Sequence, residues 1–225
     1  RDSQRTPRTV IMLAINNLTK AFGERILWSG ITASFPNGAV IGLVGPSGAG
    51  KSTLLNCMGL LEKPTSGSIR FGDVCLTAAS VRQRRALRRE TLGYVFQNYA
   101  LVEEATVEAN LAIAAPHHGH GREDKKLISS ALEAVGLEGQ QRTAISTLSG
   151  GEQQRVAVAR LLVYSPRLVL ADEPTGALDS DNARIVLDHL ESMASRGATV
   201  VIATHDPSAR QRCDELLDLT HKDKD

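Results

Sequence analysis

The chain has 225 residues, 42% of them hydrophobic, and its 26 Lys and Arg against 25 Asp and Glu give a formal net charge of +1. This near-neutral balance argues against a protein that works mainly on the phosphate backbone of nucleic acid, so we expect no nucleic-acid partner. The three cysteines form no C-x-x-C pair, which favours reduced thiols over a zinc site or a disulfide framework. The length allows one large domain, or one domain with a substantial insertion.

The N-terminal stretch "RDSQRTPRT" is polar and basic with no apolar core behind it, so it does not have the pattern of a signal peptide. Met12 is a plausible native start, and residues 1–11 are then a polar arm, either native or added. We expect residues 12–225 to form a single domain. No apolar run approaches the roughly 18 residues that a membrane-spanning helix needs.

In chain order, Val10 to Leu43 reads as short strands separated by turns. Strand and helix patterns then alternate, except between about 104 and 164, where strand patterns disappear. Helical patterns occur at 53–61, 81–90, 106–115, 124–137, 150–164 and 181–195, and strand patterns at 92–97, 167–173 and 198–205. This order predicts a parallel α/β core that carries an inserted helical subdomain at approximately 98–164.

The segment "GPSGAGKST" (45–53) lies between the apolar run "AVIGLV" and the helical "LLNCMGLL", and it matches the P-loop pattern G-x-x-x-x-G-K-[ST]. Its glycines let backbone N–H groups approach phosphate oxygens, Lys51 can reach the β- and γ-phosphates, and Ser52 can ligate Mg²⁺. The alternative is a glycine-rich linker. The expected contacts to ATP are Gly45, Pro46, Ser47, Gly48, Ala49, Gly50, Lys51, Ser52 and Thr53.

The strand pattern "LVLADE" ends in two adjacent carboxylates, Asp172 and Glu173. Beside a P-loop, such a pair suits two roles: Asp172 holds Mg²⁺ through its water shell, and Glu173 polarises an attacking water. The alternative is a solvated strand end that caps the next helix.

The segment "LSGGEQQRVAVAR" (148–160) starts with Ser149 and Glu152 in a capping-box pattern, which is a sufficient structural explanation for those two residues. It does not explain Gly150 and Gly151, which weaken the first helical turn but leave its amides open to an anion. With the P-loop upstream, the string LSGGE resembles the signature of ATP-binding cassette (ABC) ATPases.

Four further residues match elements of this family. Gln97 ends "GYVFQ" and matches the Q-loop glutamine, a catalytic and metal-binding position, while His205 in "VVIATHDP" matches the switch histidine that contacts the γ-phosphate. Phe22 stands where the family stacks an aromatic ring on adenine, and Asp179 belongs to "GALD", the D-loop. The alternatives are an ordinary strand end for Gln97, a helix start for His205 and core packing for Phe22.

The resemblance implies a P-loop NTPase fold of the ABC-ATPase type: a parallel-sheet core, an N-terminal antiparallel β subdomain and an inserted α-helical subdomain. It also implies a head-to-tail homodimer with two ATP molecules between the copies. Ser149 and Gly151 would then touch the γ-phosphate held by Lys51 of the second copy. Such a cassette binds an integral-membrane permease, at the cytoplasmic face of the membrane, as a peripheral protein.

The segments "GYVFQNYALVEEATVEANL" and "ADEPTGALDS" resemble the MacB-type exporter group, which implies export of a hydrophobic substrate such as haem, a peptide or a drug. The alternative is a non-transport ABC ATPase that remodels a soluble or nucleic-acid partner. The gap between P-loop and signature leaves no room for the very long coiled coil of chromosome-maintenance ATPases, and the zinc cysteines of excision-repair cassettes are absent from the sequence.

Two other segments permit more than one interpretation. The histidines of "APHHGHG" (115–121) suggest a metal or haem site, but the surrounding glycines favour a solvated loop. The five arginines of "VRQRRALRRE" (81–90) suggest nucleic acid or anionic lipid, but an exposed helix face is the simpler interpretation.

Overall fold

The computed structural model describes residues 13–115, 121–176 and 178–220, and these form two sheets with helices around them. The antiparallel sheet has the spatial order β2 (Arg25–Phe35), β1 (Leu13–Phe22), β4 (Ser66–Phe71) and β5 (Val74–Cys75). The parallel sheet has the order β6 (Leu92–Val95), β7 (Leu168–Asp172), β8 (Thr199–Ala203), β3 (Val40–Val44) and β9 (Glu215–Asp218). The predicted parallel core and N-terminal β region are both present.

The helices follow the predicted alternation. They are α1 (Lys51–Met58), α2 (Val81–Glu90), α3 (Val107–Ala112), α4 (Arg122–Ala134), α5 (Gly150–Tyr164), α6 (Ser180–Ser195) and α7 (Pro207–Gln211). α3, α4 and α5 pack against one another within the stretch predicted to be helical. How far this helical subdomain extends, and whether residues 12–225 are one domain, stay predictions.

The parallel sheet is central because its strands are apolar on both faces. Every residue of β3 and of β8 is buried, as expected for strands with packing on either side. One buried cluster joins one face of this sheet to α3, α4, α5 and α6, and a second joins the other face to α1 and the antiparallel sheet. The carboxyl ends of β3, β7 and β8 lie next to one another, so the loops that follow them meet at one edge of the sheet.

Element boundaries differ from the predictions in ways that local chemistry explains. α1 begins directly at Lys51 and ends before Gly59, which makes it shorter at its C-terminal end than the predicted 53–61. β6 ends at Val95 because the carbonyl of Phe96 accepts a 2.9 Å hydrogen bond from Tyr99 N, which turns the chain. β9 was not predicted, since the edge strand "ELLD" has little apolar pattern. Residues 1–12 and the histidines of 116–120 lie outside the described residues.

Candidate nucleotide site

The P-loop turns tightly between β3 and α1. Gly45, Gly48 and Gly50 have φ angles of 144°, 77° and 93°, a region that side-chain-bearing residues rarely adopt. A Cβ on Gly50 would also lie 2.6 Å from both the Leu27 side chain and Trp28 Nε1. Glycine is therefore required at position 50 for two independent reasons, and α1 starts here with the open amides that an anion needs.

Lys51 connects the P-loop to the end of β8. Its side chain is nearly buried, with 7% of the residue exposed. Its Nζ donates hydrogen bonds to the carbonyls of Gly45 (2.9 Å) and Pro46 (3.1 Å), and it lies 2.9 Å from His205 Nε2. Because an ammonium group only donates, His205 Nε2 is the acceptor in this contact. The positive charge of Lys51 is thereby fixed at the centre of the loop.

Ser52 and Asp172 pair beside this lysine. Ser52 Oγ donates a 3.0 Å hydrogen bond to Asp172 Oδ1 at the end of β7. Burial raises the pKa of Asp172, while the Ser52 hydrogen bond and the Lys51 charge act in the opposite direction. Hydroxyl and carboxylate oxygens are the ligands that Mg²⁺ prefers, and Mg²⁺ bound with a nucleotide usually takes one or two protein oxygens, with phosphates and water completing its shell. The residues present fit that ion.

The described residues contain no cluster of three or more His, Cys, Asp or Glu side chains able to hold a metal ion alone. A magnesium ion at Ser52 and Asp172 would therefore depend on ligands from the nucleotide and from water.

Glu173 has an unusual backbone conformation. Its φ is 47°, in the left-handed region, and its N–H donates to Ala203 O at 2.9 Å. This conformation directs its carboxylate toward the end of β8, where Oε2 accepts from Thr204 Oγ1 (3.4 Å) and from His205 N (3.3 Å). Strain of this kind is concentrated at functional sites, because the surrounding structure must hold it in place. The carboxylate is thus held next to His205, whose Nε2 lies 3.6 Å from Glu173 Oε1 and 2.9 Å from Lys51 Nζ.

These groups open into a cavity of about 1060 Å³. The predicted residues that line it are Phe22, Ser47, Gly48, Gly50, Lys51, Ser52, Thr53, Gln97, Asp172, Glu173 and His205. Phe22 stands at the cavity wall with 52% of its surface exposed, so it is not a core residue, and the Lys20 ammonium lies 4.5 Å from its ring centre. A half-exposed aromatic ring beside a phosphate-binding loop has the placement expected for contact with adenine.

Six further residues line the cavity although they were not among the predicted site residues: Arg25, Leu27, Tyr99, Gln154, Gly176 and Asp206. Arg25 and Leu27 reach the cavity only because the antiparallel sheet packs over the P-loop, which no local pattern reveals. Asp206 was visible as the neighbour of His205; its carboxylate accepts from Thr175 Oγ1 at 3.0 Å and caps α7.

The signature segment, residues 148–152, lies outside this cavity lining, and so does Asp179. Ser149 caps α5 in a complete capping box: Glu152 N donates to Ser149 Oγ (3.3 Å), and Ser149 N donates to Glu152 Oε2 (2.8 Å). Asp179 caps α6 by accepting from Asn182 N at 2.8 Å. Within one chain these residues have a structural role, and their contact with nucleotide stays a prediction.

Comparison with known proteins identifies the family. The family model described as "ABC transporter" matches residues 28–176. The chain is 40% identical to the lipoprotein-releasing system ATP-binding protein LolD 1 of Rhodospirillum rubrum, over 92% of this chain and 94% of that protein. It is 37% identical to the "Probable amino-acid import ATP-binding protein YxeO" of Bacillus subtilis, over 92% and 84%.

Longer relatives contain a similar segment. The chain is 39% identical to the macrolide export ATP-binding/permease protein MacB of Shigella flexneri, over 84% of this chain and 30% of that protein. It therefore spans about a third of MacB. Among the described residues, no helix combines the length and hydrophobicity needed to cross a membrane.

A solved structure with a similar fold is that of the ATP-binding cassette MJ0796, described as dimeric, in a post-hydrolysis state and bound to ADP and Pi. It superposes with a TM-score of 0.83 at 31% identity, over 92% of this chain and 93% of that one. Family, fold and the P-loop geometry agree: the chain belongs to the ABC transporter family, as an ATP-binding and ATP-hydrolysing subunit of a transporter.

Proposed function

We propose that this ATPase works as a homodimer, drives a separate MacB-like membrane permease and exports a hydrophobic substrate such as haem, a peptide or a drug. The observation that carries the ATPase part is the cavity in which Lys51, Asp172, Glu173 and His205 converge beside the P-loop. In this proposal the chain lies on the cytoplasmic face of the membrane, held there by the permease.

We assign the cavity residues the roles that the family resemblance implies, and their positions around the cavity support these roles. P-loop amides and Lys51 bind the β- and γ-phosphates of ATP, and charge-assisted hydrogen bonds make these contacts strong. Glu173 orients and polarises the attacking water, and His205 contacts the γ-phosphate from the end of β8. Ser52, Asp172 and Gln97 would hold Mg²⁺, which would supply positive charge to offset the negative charge of the phosphates.

The signature segment explains why two copies are needed. Gly150 and Gly151 place no side chains on the first turn of α5, which Ser149 caps, and the segment does not line the cavity of its own chain. The N-terminus of a helix attracts anions, so in this proposal the segment contacts the γ-phosphate in a second copy. The dimeric state of MJ0796, named in that structure's description, supports the same arrangement here.

The direction of transport rests on resemblance. LolD 1 matches this chain over nearly its whole length, and its name describes a lipoprotein-releasing system; MacB is named as a macrolide exporter. YxeO supports a second candidate, amino-acid import, because its name describes import and its similarity to this chain is nearly as extensive.

The two candidates require different membrane partners, which an affinity purification can identify. Tagged Glu173→Gln protein would be captured with ATP and Mg²⁺ from detergent-solubilised membranes of the native host, and Lys51→Ala/Glu173→Gln protein would serve as the matched control. Mass spectrometry of a stoichiometric permease with few spans and a large extracytoplasmic domain would support export. A many-spanning permease with a solute-binding protein would support import, and soluble or nucleic-acid partners alone would contradict a transport role.

A further inference from the structure

Gln97 lies in an exposed loop whose two ends are attached to two different functional helices. The Gln97 loop, residues 96–100, follows β6 and lines the cavity at Gln97 and Tyr99. Before it, Tyr94 donates a 2.9 Å hydrogen bond from its hydroxyl to Asn56 Oδ1 on α1, the helix that starts at the P-loop. The Tyr94 ring also stacks on Phe96, with ring centres 4.0 Å apart. The first end of the loop is therefore attached to the nucleotide-binding helix.

The second end is held by α5, the helix that begins at the signature. Arg160 Nη1 donates to Ala100 O at 2.7 Å, and its Nη2 donates to Tyr99 O at 3.2 Å. The guanidinium is largely enclosed, and burial lowers its pKa. The Tyr99 side chain also lies along α5, because its hydroxyl would be 3.2 Å from a Cβ placed on Gly150. One arginine thus joins two consecutive carbonyls of the loop to the signature helix.

The two residues that Arg160 holds have a backbone conformation that is unfavourable for them. Tyr99 has φ 62° and Ala100 has φ 48°, both in the left-handed region and neither of them glycine. Two such residues in succession need support from outside the loop. A guanidinium supplies it well, since its planar group donates two hydrogen bonds in a fixed geometry, whereas a lysine acts as a point charge.

We propose that Arg160 is a positioning residue for ATP hydrolysis, which holds the Gln97 loop on the signature helix and so fixes where Gln97 enters the cavity. The inference rests on the proposed role of Gln97 in the site. Its consequence is that the position of Gln97 depends on both helices, on α5 through Arg160 and on α1 through Tyr94.

The test separates nucleotide binding from turnover. Trp28 is the single tryptophan, is 2% exposed, and donates to Gly50 O at 3.4 Å, so we expect its fluorescence to report ATP binding at the P-loop. For Arg160→Met we expect an ATP affinity within about twofold of the parent and a kcat lower by about tenfold, because small misplacements in a catalytic site affect mainly the rate. Arg160→Lys should recover part of the loss.

A second variant tests the mechanism itself. Adding Ala100→Gly to Arg160→Met should raise kcat by at least about threefold, because glycine adopts the left-handed conformation without the support of the guanidinium. The matched control is Arg84→Met in α2, since Arg84 also donates to a backbone carbonyl (Ala79 O, 2.9 Å) but lies away from the cavity. That variant should keep the parent kcat.

A parental kcat in Arg160→Met, or in Arg160→Lys if the methionine variant does not fold, would overturn the proposal. The proposal would also be overturned if Arg160→Met lost ATP affinity, kcat and thermal stability together, and neither Arg160→Lys nor the added Ala100→Gly reduced that loss. Gln97→Ala distinguishes a failure of the proposed Gln97 role from a failure of the Arg160 inference. If Gln97→Ala keeps full turnover, both are wrong. If Gln97→Ala loses turnover while Arg160→Met does not, the Arg160 inference alone is wrong.

Discussion

The two parts of the proposed ATP site, the P-loop side and the signature side, differ in how their side chains are engaged within one chain. On the P-loop side, Lys51, Ser52 and Asp172 contact one another or neighbouring groups around a shared cavity. On the signature side, Ser149 and Asp179 each cap their own helix and lie outside that cavity lining. In the proposed function, the chain binds nucleotide with the P-loop side, and the signature side acts on the nucleotide held by a second copy.

The largest effect is expected at Glu173. Glu173→Gln removes the proposed general base but keeps the size of the side chain, so kcat should fall by about 100-fold or more while Trp28 fluorescence still reports ATP binding. Size-exclusion chromatography with ATP should show a trapped dimer, and the parent chain without ATP should be monomeric. Glu138→Gln, at an exposed position, is the control. Undiminished turnover in Glu173→Gln would refute the general-base assignment.

The signature side should respond differently. In Gly151→Asp, a carboxylate at the opening of α5 would repel the γ-phosphate of the second copy, and like charges in contact cost several kcal/mol, so turnover should fall by about 100-fold. The affinity of the single chain for ATP should not change, because Gly151 does not line its own cavity. A matching loss of affinity in the Trp28 assay would mean that the signature acts within its own chain.

Mixing two impaired variants sharpens this comparison. A heterodimer of Lys51→Ala and Gly151→Asp chains contains one site with both substitutions and one with neither. We therefore expect the mixture to recover part of the parental turnover, although each variant alone has a low turnover. No recovery would contradict a site shared between two copies.

A substitution on the P-loop side should weaken ATP binding as well as turnover. Lys51→Ala removes a buried ammonium that would bond to phosphate, and charge-assisted hydrogen bonds contribute about 1.5–3 kcal/mol, so ATP affinity should fall by roughly 10- to 100-fold. Trp28 fluorescence measures this directly. Lys126→Ala, exposed on α4, is the control, and a normal affinity in Lys51→Ala would contradict the P-loop assignment.

The sequence was sufficient to predict those parts of the fold and of the candidate site that depend on consecutive residues. The P-loop, "LVLADE" and the capping box of α5 are local patterns, and the structure has a P-loop turn, a buried strand and a capped helix at those positions. The sequence was insufficient to predict features that depend on packing between distant elements. Arg25 and Gln154 reach the cavity through contacts between distant elements, and the left-handed φ of Glu173 and Tyr99 has no counterpart in residue type.

The smallest expected effect is a loss of stability, and it separates the capping role of Ser149 from a catalytic role. Ser80 and Ser149 begin α2 and α5 with the same complete capping box, so Ser80→Ala and Ser149→Ala should each lower the free energy of unfolding by about 1 kcal/mol, a decrease of roughly 2–4 °C in Tm. If the signature serine also contacts ATP in a second copy, only Ser149→Ala lowers kcat. Thermal unfolding and ATPase assays on the pair measure both quantities. Ser80→Ala measures how the loss of a cap affects kcat. If Ser149→Ala has the same kcat as Ser80→Ala, then Ser149 has a capping role alone.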